Sequence, residues 1–184
     1  MTHLGTVYLE TQRLVLRKFT LEDAEAMFKN WASDTQVAKY LTWPAHKDAD
    51  TSRMVLKKWV NDYSGMDNYQ WAIALRESPA EPIGSISVVS LNDSVASAQI
   101  GYCIGRKWWH KGITSEALKR VVDYLFDEVG MNRIEAWHDT QNANSGAVME
   151  KCGMRYEGTM RQAGRNNEGI RDLCYYAILS SDRK

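Results

Sequence analysis

The chain has 184 residues, of which 44% are hydrophobic and 25% are charged. This length and this balance predict one globular domain over residues 1–184 with a full hydrophobic core. Basic and acidic residues both count 23, so the net charge gives no reason to expect a nucleic acid or an acidic membrane surface as a partner.

The sulfur and imidazole side chains follow no metal-binding or disulfide pattern. Cys103, Cys152 and Cys174 form no C-x-x-C pair, and the four histidines fall in no ligand spacing. We therefore expect reduced thiols, no metal site and a cytoplasmic location. Residues 1–10 carry only isolated apolar residues, and no apolar run approaches membrane-spanning length, so no signal peptide and no membrane partner are expected.

The first third of the chain predicts one strand and two helices. Thr20 stands at an N-cap position before Glu22 and Asp23, and apolar residues follow at helical spacing. A second helical pattern begins at Asp50, and Pro44 breaks the segment between the two helices. The predicted ranges are a strand over 14–17, helices over 21–31 and 50–63, and an irregular segment over 33–48.

The middle of the chain predicts three antiparallel strands and then a parallel pair. Apolar or β-branched runs separated by turn residues give strands over 71–75, 83–91 and 96–104. The clearest helix covers 114–129, where five apolar residues form one stripe and Gly130 stands at the C-terminal cap. A strand over 132–137 follows, and a helical connection between two strands implies that they run parallel.

The last part of the chain predicts a short helix over 144–152 and an antiparallel pair over 154–160 and 173–179. The segment between these strands, 161–172, is polar and is interpreted as a loop. Together these predicted helices and strands give a mixed α/β domain. Such sheets place their ligands at the carboxyl ends of the central strands.

The stretch from Gly101 to Leu118 is typical of an anion site. It reads as a strand, a turn and the opening of a helix, with Gly112 allowing close approach of a ligand to the backbone. Free main-chain N–H groups at a helix N-terminus point in one direction and attract negative groups. Ser115 and Glu116 suit the first turn of that helix. An ordinary strand-to-helix connection is the alternative interpretation of the local pattern.

Several common sites are excluded by their missing motifs. The sequence contains no G-x-x-x-x-G-K-[ST] and no G-x-G-x-x-G, which disfavours a conventional nucleotide or dinucleotide site. It contains no G-x-S-x-G, so a standard hydrolase triad is unsupported. Cys103 and Cys152 lie in apolar surroundings, which favours a packing role over a nucleophilic one.

Four blocks resemble the GNAT superfamily of N-acetyltransferases, in their order and spacing. Trp108-Trp-His-Lys-Gly-Ile-Thr-Ser-Glu-Ala117 resembles the acyl-CoA pyrophosphate loop. Thr11-Gln-Arg-Leu-Val-Leu-Arg17, followed by Asp23, resembles the opening of the Rim-type branch, which contains ribosomal-protein N-terminal acetyltransferases. The third block is Ile100-Gly-Tyr102. The fourth block is Asn142-Ala-Asn-Ser145 together with Glu150-Lys-Cys-Gly-Met154 and Glu157-Gly158. Together they span nearly the whole chain.

The resemblance implies a fold and a cofactor site. The fold is a predominantly antiparallel sheet flanked by helices, with a central parallel pair that splays apart to admit pantetheine. The implied co-substrate is acetyl-CoA. Main-chain groups of Cys103, Ile104 and Arg106 would pair with pantetheine, and the Asn142 side chain would contact it, with Ser145 near its sulfur. The pyrophosphate would be held by the amides of His110, Lys111, Gly112, Ile113, Thr114 and Ser115. For Asn142 and Ser145 the alternative role is loop and helix capping.

The same resemblance points to Ser145 as the proton donor to the departing thiolate, but it leaves the base open. Related enzymes often carry a glutamate where this chain has Gln99 or Gly164, and neither residue can accept a proton. His138, at the end of a central strand, is the first choice for a relay through water, with a purely structural role as its alternative. Glu135 and Glu168 are further candidates for that water chain.

The expected function is transfer of an acetyl group from acetyl-CoA to a primary amine by direct attack. A protein N-terminal α-amine suits a site that lacks a carboxylate, because an α-amine has a pKa near 8 and is partly neutral at pH 7. The alternatives are a small amine, such as a polyamine or an aminoglycoside, and a non-catalytic acyl-CoA-binding module. Segments 33–48 and 161–172 are expected to form the acceptor side, and both a monomer and a homodimer remain open.

Overall fold

The computed structural model describes residues 1–183, and in this range eight strands form one sheet in the order β1-β2-β3-β4-β5-β6-β8-β7. All neighbouring strands are antiparallel except β5 and β6. The expected mixed α/β fold with a mainly antiparallel sheet is confirmed. The strands β1 to β8 are Leu9–Glu10, Leu14–Arg17, Gln70–Leu75, Pro82–Asn92, Ser97–Ile104, Arg133–Asp139, Arg155–Asn166 and Gly169–Leu179.

Five α-helices flank this sheet: α1 (Ala24–Met27), α2 (Thr35–Ala38), α3 (Ala49–Asp62), α4 (Ile113–Tyr124) and α5 (Ala143–Lys151). The predicted helix over 21–31 is one helical run, in which a 3₁₀ turn precedes α1 and a π turn follows it. The segment 33–48 is less irregular than expected, because the Asp34 side chain accepts from Gln36 N at 2.9 Å and caps α2.

The central parallel strands pair over three residues each and then separate. The pairs are Ser97 with Arg133, Ala98 with Ile134 and Gln99 with Glu135. Beyond this point β5 remains paired with β4, and β6 remains paired with β8. The gap that opens between β5 and β6, called the wedge below, confirms the expected splayed pair.

A bulge in β4 lies where the wedge begins. Val88 pairs with Ile100 and Ser90 pairs with Gln99, so Val89 has no partner on β5. An extra residue of this kind bends its strand and increases the local twist. The bulge therefore turns the β4–β5 pair at the position where β5 leaves β6.

The carboxyl-terminal hairpin is longer than the sequence pattern indicates. The segment 161–172, expected as a loop, belongs mostly to β7 and β8, which pair from Arg155 with Ala177 to Asn166 with Gly169. Most β7 side chains are exposed, so no apolar alternation marks the strand. The main-chain groups of β7 that face β8 pair with it, and this pairing needs no burial of side chains.

The sheet separates two hydrophobic clusters, because successive strand residues point to opposite faces. Trp71 and Ile86 belong to the cluster that packs against α4, which includes Leu118 and Val121. Ala72 belongs to the cluster beneath α1 and α3. Within residues 1–183 we find no helix with the length and apolar character needed to cross a bilayer.

Candidate active site

Two cavities meet at the wedge. One, of about 320 Å³, is bordered by α5 and by residues 108–110 and 112–115, and we call it the loop cavity. The other, of about 440 Å³, is bordered by Trp43, Trp59 and Trp137, and we call it the aromatic cavity. The residues common to both linings are Tyr40, Leu41, Tyr102, Cys103, Asn142 and Ser145. A molecule in each cavity would thus meet the other beside β5 and α5.

The turn before α4 presents a run of unbonded main-chain N–H groups. Trp109 N donates to Arg106 O at 3.2 Å, and the next bonded N–H is that of Glu116, which donates to Gly112 O at 3.1 Å. Within residues 1–183 the six N–H groups from His110 to Ser115 have no hydrogen-bond acceptor. The positive end of the helix dipole reinforces these donors, so the turn is suited to an anion.

The backbone of this turn takes unusual angles at two positions. Gly112 caps α4 with φ of +72°, in the left-handed region that glycine adopts without penalty. His110 adopts φ of +58° although it carries a side chain. Such conformations cost about 1–3 kcal/mol, and they concentrate at ligand-binding positions.

Arg13 and Glu116 hold the turn against the β1–β2 connection. Glu116 Oε1 accepts from Thr11 Oγ1 at 2.6 Å and from Arg13 N at 3.0 Å, and Oε2 accepts from Arg13 Nε at 2.7 Å. Arg13 Nη1 also donates to Lys111 O at 3.0 Å. Burial alone would raise the pKa of Glu116, but these hydrogen bonds and the guanidinium charge together lower it. The resemblance motif Thr11–Arg17 therefore has a structural basis at the anion-binding turn.

The edge of β5 that faces the wedge carries unpaired main-chain groups. Gly105 N donates to Ile83 O at 2.9 Å, and Cys103 stands opposite Ser85 on β4. Because main-chain groups alternate sides along a strand, those of Tyr102 and Ile104 face the wedge. Ile104 O is occupied by Trp109 Nε1 at 2.9 Å. The expectation that Cys103 offers its main chain to a ligand is wrong, since its N–H and C=O are turned toward β4.

Tyr102 and Ser145 join β5 to α5 across the wedge. The Tyr102 hydroxyl lies 3.0 Å from Ser145 Oγ and donates to Ser145 O at 3.0 Å. Burial raises the pKa of Tyr102, and the hydrogen bond with Ser145 offsets only part of that increase. The pair therefore stays protonated at neutral and moderately alkaline pH, and it offers two hydroxyl groups at the meeting point of the cavities.

Asn142 and Ser145 are not used for helix capping by their side chains. Asn142 occupies the N-cap position of α5 without a side-chain cap bond, and its main-chain O accepts from Ser145 N at 3.0 Å. Both residues line both cavities. Their polar side-chain atoms are thus placed beside the wedge.

His138 does not turn its basic nitrogen toward the cavities. Nδ1 donates to Asp139 O at 2.7 Å, so the lone pair of the neutral ring lies on Nε2. Nε2 is buried without a partner in residues 1–183, only 2.6 Å from where a Cβ would stand on Gly146 of α5. The expected relay role of His138 is therefore not supported, because the α5 backbone covers the atom that would accept a proton.

The other expected proton acceptors are also misplaced. Glu135 accepts from Arg133 Nε at 2.9 Å, Glu168 lies 3.8 Å from Arg171 at the hairpin tip, and neither lines a cavity. Gln99 lines the aromatic cavity but cannot act as a base. A Cβ on Gly164 would stand 2.6 Å from Leu173 Cδ1, so a side chain at that position would have to displace Leu173.

The remaining expected cofactor residues divide into two sets. Arg106 and Lys111 do not line the loop cavity, and the Arg106 side chain pairs instead with Asp34 Oδ2 at 3.0 Å. The structure brings the others together around this cavity: Cys103, Ile104, His110, Gly112, Ile113, Thr114, Ser115, Asn142 and Ser145.

The aromatic cavity is roofed by the segment 38–43. Asn167, at the tip of the β7–β8 hairpin, donates from Nδ2 to Ala38 O and to Trp43 O at 2.8 Å each, and from its main-chain N to Leu41 O at 3.2 Å. Tyr40 donates from its hydroxyl to Gln141 O at 3.4 Å. The two expected acceptor segments, 33–48 and 161–172, therefore meet above this cavity.

Two residues at the site were not assigned a role from the sequence. Tyr102 lies in the Ile100-Gly-Tyr102 block, but that block does not indicate that the Tyr102 hydroxyl contacts Ser145, which depends on the position of β5 in the sheet. Trp109 holds the end of β5 through its indole nitrogen. The double tryptophan before the glycine of the turn is the signal that could have drawn attention to it.

The comparisons with known proteins agree with this geometry. The family described as Acetyltransferase (GNAT) domain matches residues 13–155. An uncharacterized N-acetyltransferase, p20 of Bacillus licheniformis, is 32% identical over 95% of this chain and 97% of its own. The [ribosomal protein uS5]-alanine N-acetyltransferase of Escherichia coli is 26% identical over 85% of this chain and 82% of its own.

A solved structure gives the same result for the fold. The acetyltransferase (GNAT family) from Bacillus anthracis superposes with a TM-score of 0.83 and 28% identity, over 95% of this chain and 99% of its own. The sheet with its wedge, the unbonded turn before α4 and the match over residues 13–155 lead to one assignment. This chain belongs to the GNAT family of N-acetyltransferases.

Proposed function

We propose that the chain transfers the acetyl group of acetyl-CoA to the α-amine of an acceptor by direct attack. The observation that carries this proposal is the run of six unbonded N–H groups from His110 to Ser115, which leads into a cavity ending at the Tyr102–Ser145 pair. Acetyl-CoA supplies the acetyl group as a thioester, and its pyrophosphate fits a turn whose donors have no other partner.

Different groups of the chain bind different parts of acetyl-CoA. The N–H groups of the turn before α4 hold the pyrophosphate, and Arg13 places a positive charge beside them. The wedge-facing edge of β5 offers Tyr102 N–H, Tyr102 C=O and Ile104 N–H to the pantetheine arm, as an added strand would use them. The Asn142 side chain contacts the same arm from the α5 side.

The chemistry rests on Ser145 and on the β5 backbone. An N–H group of β5 that faces the wedge donates to the carbonyl oxygen as negative charge develops there. The new C–N bond forms as the C–S bond breaks, and the Ser145 hydroxyl gives its proton to the sulfur. Tyr102 holds that hydroxyl in place, and the proton that Ser145 gives up is replaced from water by way of the Tyr102 hydroxyl, which ends the cycle protonated. The amine loses its proton to water, since no free carboxylate of the described residues lines the aromatic cavity.

The acceptor side supports an α-amine. At pH 7 roughly a tenth of an α-amine is already neutral, whereas only about one part in a few thousand of a lysine amine is neutral. The relative named for acting on an alanine of ribosomal protein uS5 supports a protein N-terminus as one acceptor of this kind. The roof formed by segment 38–43 favours a second candidate, a small amine that enters the cavity whole.

Two measurements test the proposal. Acetyl-CoA at a concentration of 100 times its Kd stabilises a protein by about 2.7 kcal/mol, so millimolar acetyl-CoA is expected to raise the Tm clearly. Release of free thiol is then followed with peptides and small amines as acceptors. No shift in Tm would refute the proposed cofactor. A shift with no thiol release from any acceptor would favour the acyl-CoA-binding module instead.

A further inference from the structure

Gln70 places an unpartnered amide at the border of the aromatic cavity. The residue opens β3, is only 8% exposed and lines this cavity. Its main chain is satisfied, because Gln70 N donates to Thr6 Oγ1 and Gln70 O accepts from the Tyr63 hydroxyl, both at 2.8 Å. Within residues 1–183 the side-chain Nε2 is buried with no hydrogen-bond partner, and Oε1 accepts from no donor.

A buried amide of this kind is unusual. Leaving a buried polar group unpaired costs about 1–3 kcal/mol, and most such groups in folded proteins have a partner. Gln70 differs in this respect from Gln99, which borders the same cavity and retains more exposure. Only Nε2 is fully enclosed, so Oε1 is the amide atom that a ligand in the cavity can reach, and it points to a ligand group that supplies a hydrogen bond.

The sheet register gives the distance between Gln70 and the wedge. Gln70 pairs with Ser87 of β4, and Ser87 pairs with Gly101 of β5, so the three residues form one row across the sheet. Neighbouring strands lie about 4.8 Å apart, which puts Gln70 about 10 Å from the strand that borders the wedge. A ligand that reaches from the wedge to Gln70 must span roughly this length.

The charges around the aromatic cavity restrict that ligand further. Among residues 1–183 the one carboxylate in its lining is that of Asp139, which accepts from Asn166 Nδ2 at 2.7 Å and from Gln141 N at 2.8 Å, and lies 3.4 Å from Arg171 Nε. No lysine or arginine is among the lining residues of the described chain. A second ammonium or a carboxylate on the ligand would therefore lose its hydration without gaining an ionic partner.

We propose that the acceptor is an amine with no second charge near it, and that it carries an amide group about 10 Å from the amine, where Gln70 pairs with it. This inference rests on the proposed function, since acetyl transfer places the amine at the wedge. A ligand amide carries both a donor and an acceptor, so it can pair with the one Gln70 amide atom that is not enclosed, whichever way the Gln70 amide is turned. Three uncharged residues of an extended peptide have the required length, at about 3.3–3.6 Å per residue. The aromatic walls cover such uncharged groups.

The test measures binding and transfer separately. Calorimetry in the presence of CoA follows four amines: trialanine amide, a linear aminoalkyl carboxamide of equal length, an alkylamine of equal length without an amide, and spermidine. Wild type is expected to bind the two amides at least tenfold more tightly than the alkylamine or spermidine. The amide that binds more tightly shows whether the acceptor is a peptide or a small carboxamide.

Gln70→Leu removes this hydrogen bond and is expected to weaken binding of the two amides about tenfold, while binding of the alkylamine is unchanged. Asn61→Leu, which removes an exposed side-chain amide on α3, is the matched control and is expected to bind like wild type. Gln70→Glu serves as a second variant if Gln70→Leu does not fold, and its added charge is expected to reverse the preference in favour of spermidine. The Tm of each variant reports folding.

Equal weakening of the amides and the alkylamine by Gln70→Leu would overturn the proposal, as would spermidine binding to wild type as tightly as the amides. Thiol release with the same four amines tests the proposed function. If no thiol is released while the binding preference depends on Gln70, the transfer reaction is refuted and the amide site stands. If thiol is released equally from all four amines, the amide site is refuted and the transfer reaction stands.

Discussion

The Tyr102 hydroxyl lies 3.0 Å from the Ser145 hydroxyl and 3.0 Å from the Ser145 main-chain oxygen. This contact is the point where β5 and α5 approach each other across the wedge, and both residues line both cavities. Tyr102 carries one proton, so when it donates to Ser145 O, the Ser145 hydroxyl is free to donate elsewhere. The pair therefore links the orientation of the Ser145 hydroxyl, the proposed proton donor, to β5, the strand proposed to bind acetyl-CoA.

A double-mutant cycle tests this coupling. Ser145→Ala is expected to lower kcat about 100-fold, because general acid catalysis contributes about 10²–10⁴-fold. Tyr102→Phe is expected to lower kcat about tenfold, since it removes only the hydroxyl that orients Ser145. The double variant should be no slower than Ser145→Ala alone. Thiol release measures kcat, and calorimetry should give an acetyl-CoA Kd within about threefold of wild type for all three.

Additive losses in the double variant would show that the two hydroxyl groups act separately. A large loss of acetyl-CoA affinity in Ser145→Ala, with kcat unchanged, would assign Ser145 to binding and contradict its role as a proton donor.

The pH dependence of kcat/KM should follow the titration of the acceptor amine and should show no titration of Tyr102. Burial raises the pKa of Tyr102 above its usual 10.0, so the tyrosine keeps its proton throughout the range in which the amine titrates. With no carboxylate base, kcat/KM for an α-amine acceptor should rise about tenfold per pH unit below pH 8 and then level off, following the amine.

This profile should show no decline up to pH 10. A lysine-type acceptor should still rise at pH 9, because its own pKa is near 10.4. A plateau that begins near pH 6.5 for both acceptors would contradict the prediction, since it would indicate a base in the protein.

Thr114 tests the anion-binding turn. The residue lies in the first turn of α4 and lines the loop cavity, where its N–H has no acceptor within residues 1–183. Thr114→Asp places a negative charge at that position and is expected to weaken acetyl-CoA binding at least 100-fold by repulsion of the phosphates. Thr114→Ala keeps the main chain and is expected to stay within about threefold of wild type. Calorimetry with acetyl-CoA compares them, and equal affinities would refute the assignment of the turn.

Glu116 links the stability of the fold to pH. Hydrogen bonds from Thr11 and Arg13 outweigh burial and lower its pKa below the usual 4.5. A lowered pKa contributes stability above the unfolded value of 4.5, and this contribution is lost as pH falls through the folded value. Glu116→Gln is expected to reduce the free energy of unfolding by about 2 kcal/mol at pH 7, since bonds to a charged group are worth about 1.5–3 kcal/mol.

The difference from wild type should shrink below pH 4, where wild type also loses the charge. Urea unfolding at several pH values measures it. Glu77→Gln is the control, because Glu77 is exposed and makes no ion pair within residues 1–183. A difference that stays constant down to pH 3 would show that the carboxylate charge does not matter.

The sequence predicts the elements whose pattern comes from burial. The apolar stripe of α4 and the runs of β3 and β5 each reflect a face turned toward the core, so their ranges are nearly right; the predicted helix over 114–129 comprises α4 and the π turn Leu125–Val129 that continues it. The β7–β8 hairpin carries no such pattern, because its polar residues are held by main-chain pairing alone. The sequence of segment 161–172 therefore predicts a loop.

Orientation within the site could not be predicted. The family resemblance places Cys103 at the cofactor site and the predicted strand places His138 near it, and both do line a cavity. Which way the Cys103 main chain points depends on the register of β5 against β4, and a shift of one residue would reverse it. The direction of the His138 ring depends on Gly146 packing against Nε2. Both are tertiary relationships, and no local pattern records them.

Asn167 tests the roof of the aromatic cavity. Its side chain joins the hairpin tip to segment 38–43 through two bonds of 2.8 Å, to Ala38 O and Trp43 O. Asn167→Ala removes both bonds, each worth about 1 kcal/mol, and the freed segment should raise the acceptor KM about tenfold. The acetyl-CoA Kd should change less than twofold, because the anion-binding turn lies on another element. Limited proteolysis should cut segment 38–43 faster in the variant, and an unchanged acceptor KM together with faster cleavage would show that the roof does not hold the acceptor.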